Sequence, residues 1–171
     1  MDYDSYYSLH PSTSVRASPM SRKKNKIVGT KLGEELIGTN RNDFIIGKRG
    51  DDIINTSGGR DKIKAGSGDD IISSGEGKDK AWGGEGNDVF VTVDGGKGHV
   101  KIMDFETGDS IQFCGCPSTI LEQRGDDVWV IKRDDVKAVI KNFDADDLDI
   151  DFDSRLITVV TDPLALSLIH I

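Results

Sequence analysis

The sequence of 171 residues contains 30 acidic and 22 basic residues, which gives a formal net charge of −8, and 36% of its residues are hydrophobic. The negative charge argues against a general nucleic-acid binder, which usually presents a basic face, and no run of 18 apolar residues predicts a transmembrane helix. Twenty glycines and few large apolar side chains indicate either disorder or a fold that something other than a conventional core holds together.

The first 27 residues are polar and predict a disordered tail. A short basic run at residues 21–26 is interpreted as a solvated arm, with contact to an anionic surface as the alternative. The tail lacks the apolar stretch of a cleavable secretory signal, so no such signal is predicted.

A nine-residue repeat follows this tail, and three of its columns stay in phase over six units. The acidic column consists of Asp43, Asp52, Asp61, Asp70, Asp79 and Asp88. Two residues after each aspartate lies an apolar residue: Ile45, Ile54, Ile63, Ile72, Ala81 and Phe90. Two residues before it lies Arg41 in the first unit and then Gly50, Gly59, Gly68, Gly77 and Gly86. This periodicity predicts a repeat architecture over residues 28–98.

Each unit combines a six-residue glycine-rich turn with a three-residue strand whose middle side chain faces the opposite way from its neighbours. Two units would complete one turn of a flattened coil. The aspartates would then stack in two rows, one on each edge. Stacked carboxylates repel unless a cation lies between them, and Ca²⁺, which takes 6–8 oxygen ligands in flexible geometry, suits such a row better than Mg²⁺.

The pattern resembles the G-G-x-G-x-D-x-U-x nonapeptide of the RTX, or haemolysin-type calcium-binding, proteins. The resemblance implies an all-β fold, a right-handed parallel β-roll with a C-terminal antiparallel β cap, that binds about four or five calcium ions. The best matches, residues 47–55, 65–73 and 83–91, lie on one edge, whereas Arg41 and Thr56 interrupt the motif on the other. Besides the six aspartates, the expected ligand set comprises Asp104, through its Asp-Phe pair, and the turn residues Gly47, Gly50, Gly66, Gly68, Gly83, Gly84 and Gly86.

We expect calcium to control folding. Ordering a chain costs about 1–2 kcal/mol per residue, whereas each of the six stacked apolar side chains returns only about 1.5–3 kcal/mol on burial. The roll is therefore predicted to be disordered without calcium and folded at millimolar calcium.

Residues 99–160 alternate apolar and polar side chains and predict the β cap. Within them, Cys114 and Cys116 are interpreted as reduced thiols or as a local disulfide. Lysines 62, 64, 78 and 80 flank strands of the weaker edge and are interpreted as solvent-facing, with ligand binding as the alternative. Residues 161–171 form an apolar tail that resembles an artefactual end.

No enzyme is predicted, because the chain lacks the metalloprotease motif His-Glu-x-x-His and the nucleophile elbow Gly-x-Ser-x-Gly. The family resemblance implies a secreted bacterial structural and folding module, exported unfolded through a type I secretion system by an uncleaved C-terminal route. The alternative is a C-terminal secretion module or fragment of a larger RTX protease, lipase, toxin or adhesin. Neither nucleic acid nor a membrane span is expected among its partners.

Overall fold

The computed structural model describes residues 14–16, 25–92 and 98–160 and forms two facing β-sheets. Among these residues there is no α-helix, only one short 3-10 helix at Ala145–Asp147. The first sheet contains β1 (Ser14–Arg16), β3 (Glu35–Ile37), β5 (Ile53–Asn55), β8 (Ile71–Ser73), β10 (Val89–Val91), β12 (Ser110–Gln112), β17 (Leu156–Val159) and β16 (Leu148–Asp151), in that spatial order. The second contains β13 (Thr119–Arg124), β14 (Asp127–Lys132), β15 (Asp135–Ile140), β11 (His99–Ile102), β9 (Glu76–Glu85), β7 (Lys62–Ser67), β4 (Asp43–Arg49) and β2 (Asn25–Val28). The two-residue strand β6 (Gly58–Gly59) pairs with β9 at one edge.

The register confirms the repeat, because each of the strands β2 to β8 pairs in parallel with a strand 18 residues further along the chain. Ile54 pairs with Ile72, which pairs with Phe90, and on the opposite sheet Ile45 pairs with Ile63. Two nine-residue units therefore complete one turn, and consecutive units alternate between the two sheets. The predicted all-β, parallel β-roll is the observed fold.

The core lies between the two sheets and consists of the middle residue of each short strand. One sheet contributes Leu36, Ile54, Ile72, Phe90 and Ile111, and the other contributes Ile27, Ile45, Ile63, Ala81 and Ile102. The alternation is clear around Ile63, which is buried while Lys62 and Lys64 on either side are exposed. Because a three-residue strand turns only its middle side chain inward, the core is one residue wide along the short strands of the first sheet. The longer strands of the second sheet add Ala65 and Val100 to it.

After the last nonapeptide the spacing changes from 18 to 21 residues. Val89 pairs with Ser110 and Lys80 pairs with Lys101, so the parallel ladder continues through β11 and β12. Residues 93–97, which lie in this longer turn, fall outside the described residues.

Antiparallel strands close the C-terminal end of each sheet. The β13–β14–β15 meander extends one sheet, and the β16–β17 hairpin extends the other through β12. Phe105 joins this cap to the roll, since its ring lies 6.1 Å from that of Phe90 and 5.5 Å from that of Phe143. The predicted antiparallel cap is therefore present.

Two strands fall within the segment for which composition favours a disordered tail. Ser14–Arg16 pairs with β3 and Asn25–Val28 pairs with β4, while residues 1–13 and 17–24 lie outside the described residues, as does the apolar segment 161–171. Cys114 and Cys116 form a disulfide, the second of the two alternatives. In the part of the chain that the structure describes, no helix is long and apolar enough to cross a membrane.

The close stacking of turns predicts that Gly77 is far less tolerant of a side chain than Gly58. Gly77 has φ +137, and an added Cβ would collide with the Gly59 carbonyl oxygen, whereas nothing lies within 3.4 Å of a Cβ added at Gly58. We expect Gly77→Ala to lower the free energy of unfolding by at least about 2 kcal/mol, since the left-handed backbone alone costs about 1–2 kcal/mol for an L-residue. The matched control Gly58→Ala should change it by less than about 1 kcal/mol. Chemical denaturation in saturating calcium measures both, and equal losses would contradict the stacking argument.

Candidate metal centre

The aspartates of the repeat form hydrogen-bonded ladders along both edges of the roll. The backbone N–H of Asp52 donates to Asp70 Oδ1 at 2.7 Å, and that of Asp70 donates to Asp88 Oδ1 at 2.9 Å. The same bond links Asp43 to Asp61 and Asp61 to Asp79 on the other edge. One oxygen of each carboxylate is thus fixed by the preceding turn, which orients the second oxygen as well.

The second carboxylate oxygen has no hydrogen-bond partner in five of these aspartates, although it is buried. These orphaned Oδ2 atoms belong to Asp52, Asp61, Asp70, Asp79 and Asp88. Leaving a buried acceptor unsatisfied costs about 1–3 kcal/mol, and more when the group is charged. Five such atoms in one short segment therefore indicate a missing cation or proton at each position.

The orphaned oxygens occur in the five units whose second residue has a left-handed backbone. Those second residues are Lys48 (φ 93), Ser57 (φ 70), Gly66 (φ 136), Gly75 (φ 69) and Gly84 (φ 110). Lys48 and Ser57 adopt this conformation at a cost of about 1–2 kcal/mol, because they carry a Cβ. Strain of this kind is concentrated at functional sites, which supports a role for the turn itself.

The two preceding units satisfy their carboxylates internally. Thr30 donates its backbone N–H to Glu34 Oε2 at 2.6 Å, and Thr39 donates its own to Asp43 Oδ2 at 2.6 Å. Thr39 Oγ1 also lies 3.1 Å from Asp43 Oδ2. Asp43, a predicted ligand, is therefore hydrogen-bonded within its own turn, and it differs in this from the five aspartates that follow.

A small oxygen-lined pocket lies at the first residue of each unit. A Cβ added at Gly38 would lie 2.8 Å from both Asp43 Oδ2 and the Thr56 carbonyl oxygen, and one added at Gly47 would collide with Asp52 Oδ2 and the Ala65 carbonyl oxygen. At both glycines a carboxylate oxygen of the same unit and a carbonyl oxygen of the next turn thus converge, and at Gly47 that carboxylate oxygen is one of the orphaned ones. These are the hard oxygen ligands that Ca²⁺ takes at 2.3–2.6 Å, so the residues fit this ion.

Backbone carbonyls are necessary for such a site. Within the described ranges no three Asp, Glu, His or Cys side chains converge closely enough to hold a metal by themselves. A cation at one of these pockets would therefore depend on the folded turns for most of its ligands, which couples binding to folding.

Burial raises the pKa of the ladder carboxyls, because the charged form loses its hydration. The pKa of Asp70 is raised to about 8, with neighbouring Asp88 and Asp52 adding to the effect. Burial raises the pKa of Asp79 and Asp88 to about 7 and that of Asp52 and Asp61 to about 6. A divalent cation would reverse this effect, since it favours the charged carboxylate.

The two edges differ in what fills the first position of each unit. On the edge that we call the glycine edge (residues 47–52, 65–70 and 83–88), the first residues are Gly47, Ala65 and Gly83. On the hydroxyl edge (residues 56–61 and 74–79), they are Thr56 and Ser74, and both are buried.

The Thr56 hydroxyl occupies the pocket that is open on the glycine edge. It donates its single hydrogen to the Ser74 carbonyl oxygen at 2.5 Å, and Asp61 Oδ2 remains without a donor. The carbonyl equivalent to that of Ala65, which lies beside Gly47 on the glycine edge, is therefore already hydrogen-bonded here.

The remaining predicted ligands lie at the same edges. Asp104 Oδ1 accepts from the Gly83 backbone N–H at 3.0 Å, which places Asp104 beside the last turn of the glycine edge. Of the predicted glycines, Gly50, Gly66, Gly68, Gly84 and Gly86 have left-handed φ values, whereas Gly47 and Gly83 are first residues of units.

Asp109 belongs to this ladder but is absent from the predicted set. The Asp88 backbone N–H donates to Asp109 Oδ1 at 3.0 Å, and burial raises the pKa of Asp109 to about 6. The nine-residue step misses it because the spacing here is 21 residues. The signal that reveals it is local: Asp109 is followed two residues later by the buried Ile111, as in every repeat.

The comparisons with known proteins agree with this geometry. The family described as RTX calcium-binding nonapeptide repeat (four copies) matches three overlapping segments, residues 37–72, 56–90 and 64–99. Together the segments include all five aspartates with an orphaned oxygen. No curated protein matches the chain.

The raised pKa values predict that acid partly replaces the metal. The folded, metal-free roll binds more protons than the unfolded chain, whose aspartates have pKa values near 3.9. The contribution of these groups to stability is therefore greatest below about pH 4 and is lost as pH rises through about 6 to 8. We expect circular dichroism in excess chelator to show more β-structure at about pH 5 than at about pH 8.5. A rise in β-structure over the same interval would contradict the burial of these carboxylates.

Proposed function

We propose that this calcium-binding module folds when calcium ions bind along its two edges. The premise is that residues 37–99 are RTX calcium-binding nonapeptide repeats. The observation that carries the proposal is the set of five buried carboxylate oxygens without a partner. The ligands would be Asp52, Asp61, Asp70, Asp79 and Asp88, together with turn carbonyls such as that of Ala65. Five pockets agree with the expectation of about four or five ions.

Calcium favours folding because it removes the principal electrostatic cost of the roll. Asp70 lies between Asp52 and Asp88 in one row, and these neighbours raise its pKa in addition to burial. Without a counter-ion the row must either remain protonated or carry adjacent buried charges, which a low-dielectric environment penalises. A cation between the turns neutralises the row and binds adjacent turns together.

The ion would be Ca²⁺ rather than Mg²⁺. Mg²⁺ needs near-ideal octahedral geometry at 2.0–2.1 Å and keeps several waters, whereas Ca²⁺ accepts irregular shells of carboxylate and carbonyl oxygens. The pockets beside Gly38 and Gly47 provide carboxylate and carbonyl oxygens from two successive turns.

The glycine edge would bind calcium more tightly than the hydroxyl edge. On the glycine edge the pocket beside Gly47 lacks any side chain and its carbonyl partner belongs to Ala65. On the hydroxyl edge Thr56 fills the equivalent space and its hydrogen bond to Ser74 competes with the ion. Asp43 and Asp104, which complete the expected ligand set, would contribute weaker sites at the ends of their rows.

A folding switch of this kind suits a secreted bacterial protein. Extracellular calcium modules have dissociation constants of about 10⁻⁴–10⁻³ M, and each site contributes about 1.4 kcal/mol when calcium is ten times that value. Cytosolic calcium would contribute almost nothing, so the chain could leave the cell unfolded and fold outside. Export through a type I secretion system by an uncleaved C-terminal route is the corresponding proposal.

The role of the folded roll would be structural rather than catalytic. The buried aspartates are in phase with the repeat and each has the same backbone partner, which explains them without acid–base chemistry. The alternative is that the chain is a C-terminal module or fragment of a larger RTX protease, lipase, toxin or adhesin. An in-frame catalytic domain upstream in the gene would favour that alternative.

Calcium titration followed by circular dichroism tests the folding proposal. We expect a largely disordered spectrum in chelator at about pH 8 and a cooperative gain of β-structure at millimolar calcium. Asp70→Asn should lose about one bound ion in calorimetry and raise the calcium midpoint several-fold, because it removes the most perturbed carboxylate. Asp149→Asn, which makes the same charge change on an exposed cap strand, should leave both unchanged. A full β spectrum in chelator at that pH would refute the proposal.

Two reciprocal substitutions test the difference between the edges. Gly47→Ala should remove about one calcium ion, because its methyl group would occupy the pocket beside Asp52. Thr56→Gly should instead raise calcium affinity on the hydroxyl edge, because it opens the pocket and releases the Ser74 carbonyl. Calorimetric stoichiometry and affinity at fixed pH measure both. The proposed order of the edges fails if Thr56→Gly weakens calcium binding or if Gly47→Ala leaves it intact.

A further inference from the structure

The outward surface of the second sheet carries a concentration of positive charge that the calcium edges do not explain. Its central row stacks Lys62, Lys80 and Lys101 on three adjacent strands, because Lys62 pairs with Lys80 and Lys80 with Lys101. Beside this row, Lys64 pairs with Trp82 and Lys78 pairs with His99. We call these seven residues the lysine face.

Repulsion between the ammonium groups of the lysine face destabilises the isolated protein. Strands in a sheet are about 4.8 Å apart, and like charges placed directly opposite each other destabilise the pairing. On each strand the residues before and after the stacked lysine are buried on the opposite side of the sheet: Asp61 and Ile63, Asp79 and Ala81, Val100 and Ile102. No acidic side chain of these three strands therefore lies within the row. A chain with a net charge of −8 has nevertheless gathered five lysines on one side.

The nearest carboxylates on the cap are already paired with other lysines. Asp135 accepts from Lys137 at 2.7 Å, and Asp127 forms an ion pair with Lys141. Among the described residues, Lys62, Lys80 and Lys101 form no ion pair. The surface therefore keeps an unbalanced positive potential. The pKa of His99 is lowered first by burial and then by the charges of Lys101 and Lys78, which agrees with this potential.

The outward surface of the first sheet provides an internal comparison. Its equivalent row consists of Ile53, Ile71, Val89 and Ser110, and the neighbouring row includes Asn55, Ser73 and Val91. Both sheets have the same backbone repeat, yet within the described residues 53–112 only one has cations in these outward rows. The charge is therefore a property of one face and not a consequence of the fold.

We propose that the lysine face binds a linear anionic polysaccharide that carries one carboxylate per sugar residue. Because alternate residues of an extended two-fold polysaccharide turn their carboxylates to the same side, those carboxylates would meet every second lysine of the row, Lys62 and Lys101, which are two strand spacings of about 4.8 Å apart. Trp82, half-buried with Lys64 Nζ 5.7 Å from its ring centroid, offers a flat apolar surface against which a sugar ring packs.

A polyuronate fits this face better than a nucleic acid does. Binding of single-stranded nucleic acid depends on several aromatic side chains on which successive bases stack, and the face has one tryptophan. Bidentate recognition of phosphate favours arginine, whereas the stacked row is entirely lysine, a point charge suited to a single carboxylate. Binding would be sensitive to salt, because these contacts are exposed.

The test is calorimetric binding of a soluble uronic acid hexasaccharide to the full chain at millimolar calcium, where such short oligomers do not gel. The triple variant Lys62→Gln, Lys80→Gln, Lys101→Gln removes the row. The triple variant Lys31→Gln, Arg133→Gln, Arg155→Gln makes the same charge change at exposed positions outside the face and outside the calcium edges. Circular dichroism during calcium titration establishes that both variants fold.

We expect the row variant to bind the hexasaccharide at least about tenfold more weakly than the native chain, and the control variant to bind within about twofold of it. A neutral hexasaccharide should not bind. Equal binding by the two variants would overturn the proposal, because it would mean that calcium at the acidic edges bridges the sugar. Tighter binding of a single-stranded oligonucleotide or of anionic lipid vesicles than of the hexasaccharide would also overturn it. Because folding is monitored separately, these outcomes are distinct from failure of the calcium-folding proposal.

Discussion

The structure depends on buried carboxylates that are held by one oxygen and left unsatisfied at the other. The Asp52–Asp70–Asp88 ladder shows how this arises: each Oδ1 accepts a backbone N–H from the preceding turn, and each Oδ2 then faces a pocket of acceptors. The hydrogen bonds that set the spacing of the turns therefore also orient the second oxygens, which a cation would bind. A thin core offsets little of the cost of these unsatisfied oxygens, which is why we propose that folding and ion binding are linked.

Local backbone geometry determines which units have a carboxylate oxygen without a hydrogen-bond partner. Where the second residue of a unit is Thr30 or Thr39, its N–H satisfies the carboxylate, and the unit is stable by its own hydrogen bonds. Where that residue is left-handed, including the strained Lys48 and Ser57, the carboxylate oxygen is orphaned. The first turns of the roll would thus serve as a metal-independent end on which the calcium-dependent turns stack.

Much of this was predictable from the sequence, because the nine-residue period specifies both register and burial. The stacking of Ile54, Ile72 and Phe90 follows directly from the apolar column. Asp109 was not found because a three-residue insertion breaks the period while preserving the local Asp-x-apolar pattern. The hydrogen bond from Thr56 to Ser74 was also beyond reach, since sequence shows that a glycine is replaced but not what the new side chain contacts. The strand at residues 14–16 pairs at a 21-residue step outside the period. The strand at residues 25–28 is in phase with Asp43 and Ile45, but Asn25 replaces the aspartate that marks the repeat.

The most direct test of the central claim is a crystal structure of the chain grown in millimolar calcium, with anomalous scattering used to locate the ions. The account predicts calcium within 2.3–2.6 Å of Oδ2 in Asp52, Asp70 and Asp88, with carbonyl oxygens of adjacent turns completing each shell. An ordered roll whose Oδ2 atoms contact only water or protons, with no metal between the turns, would contradict it.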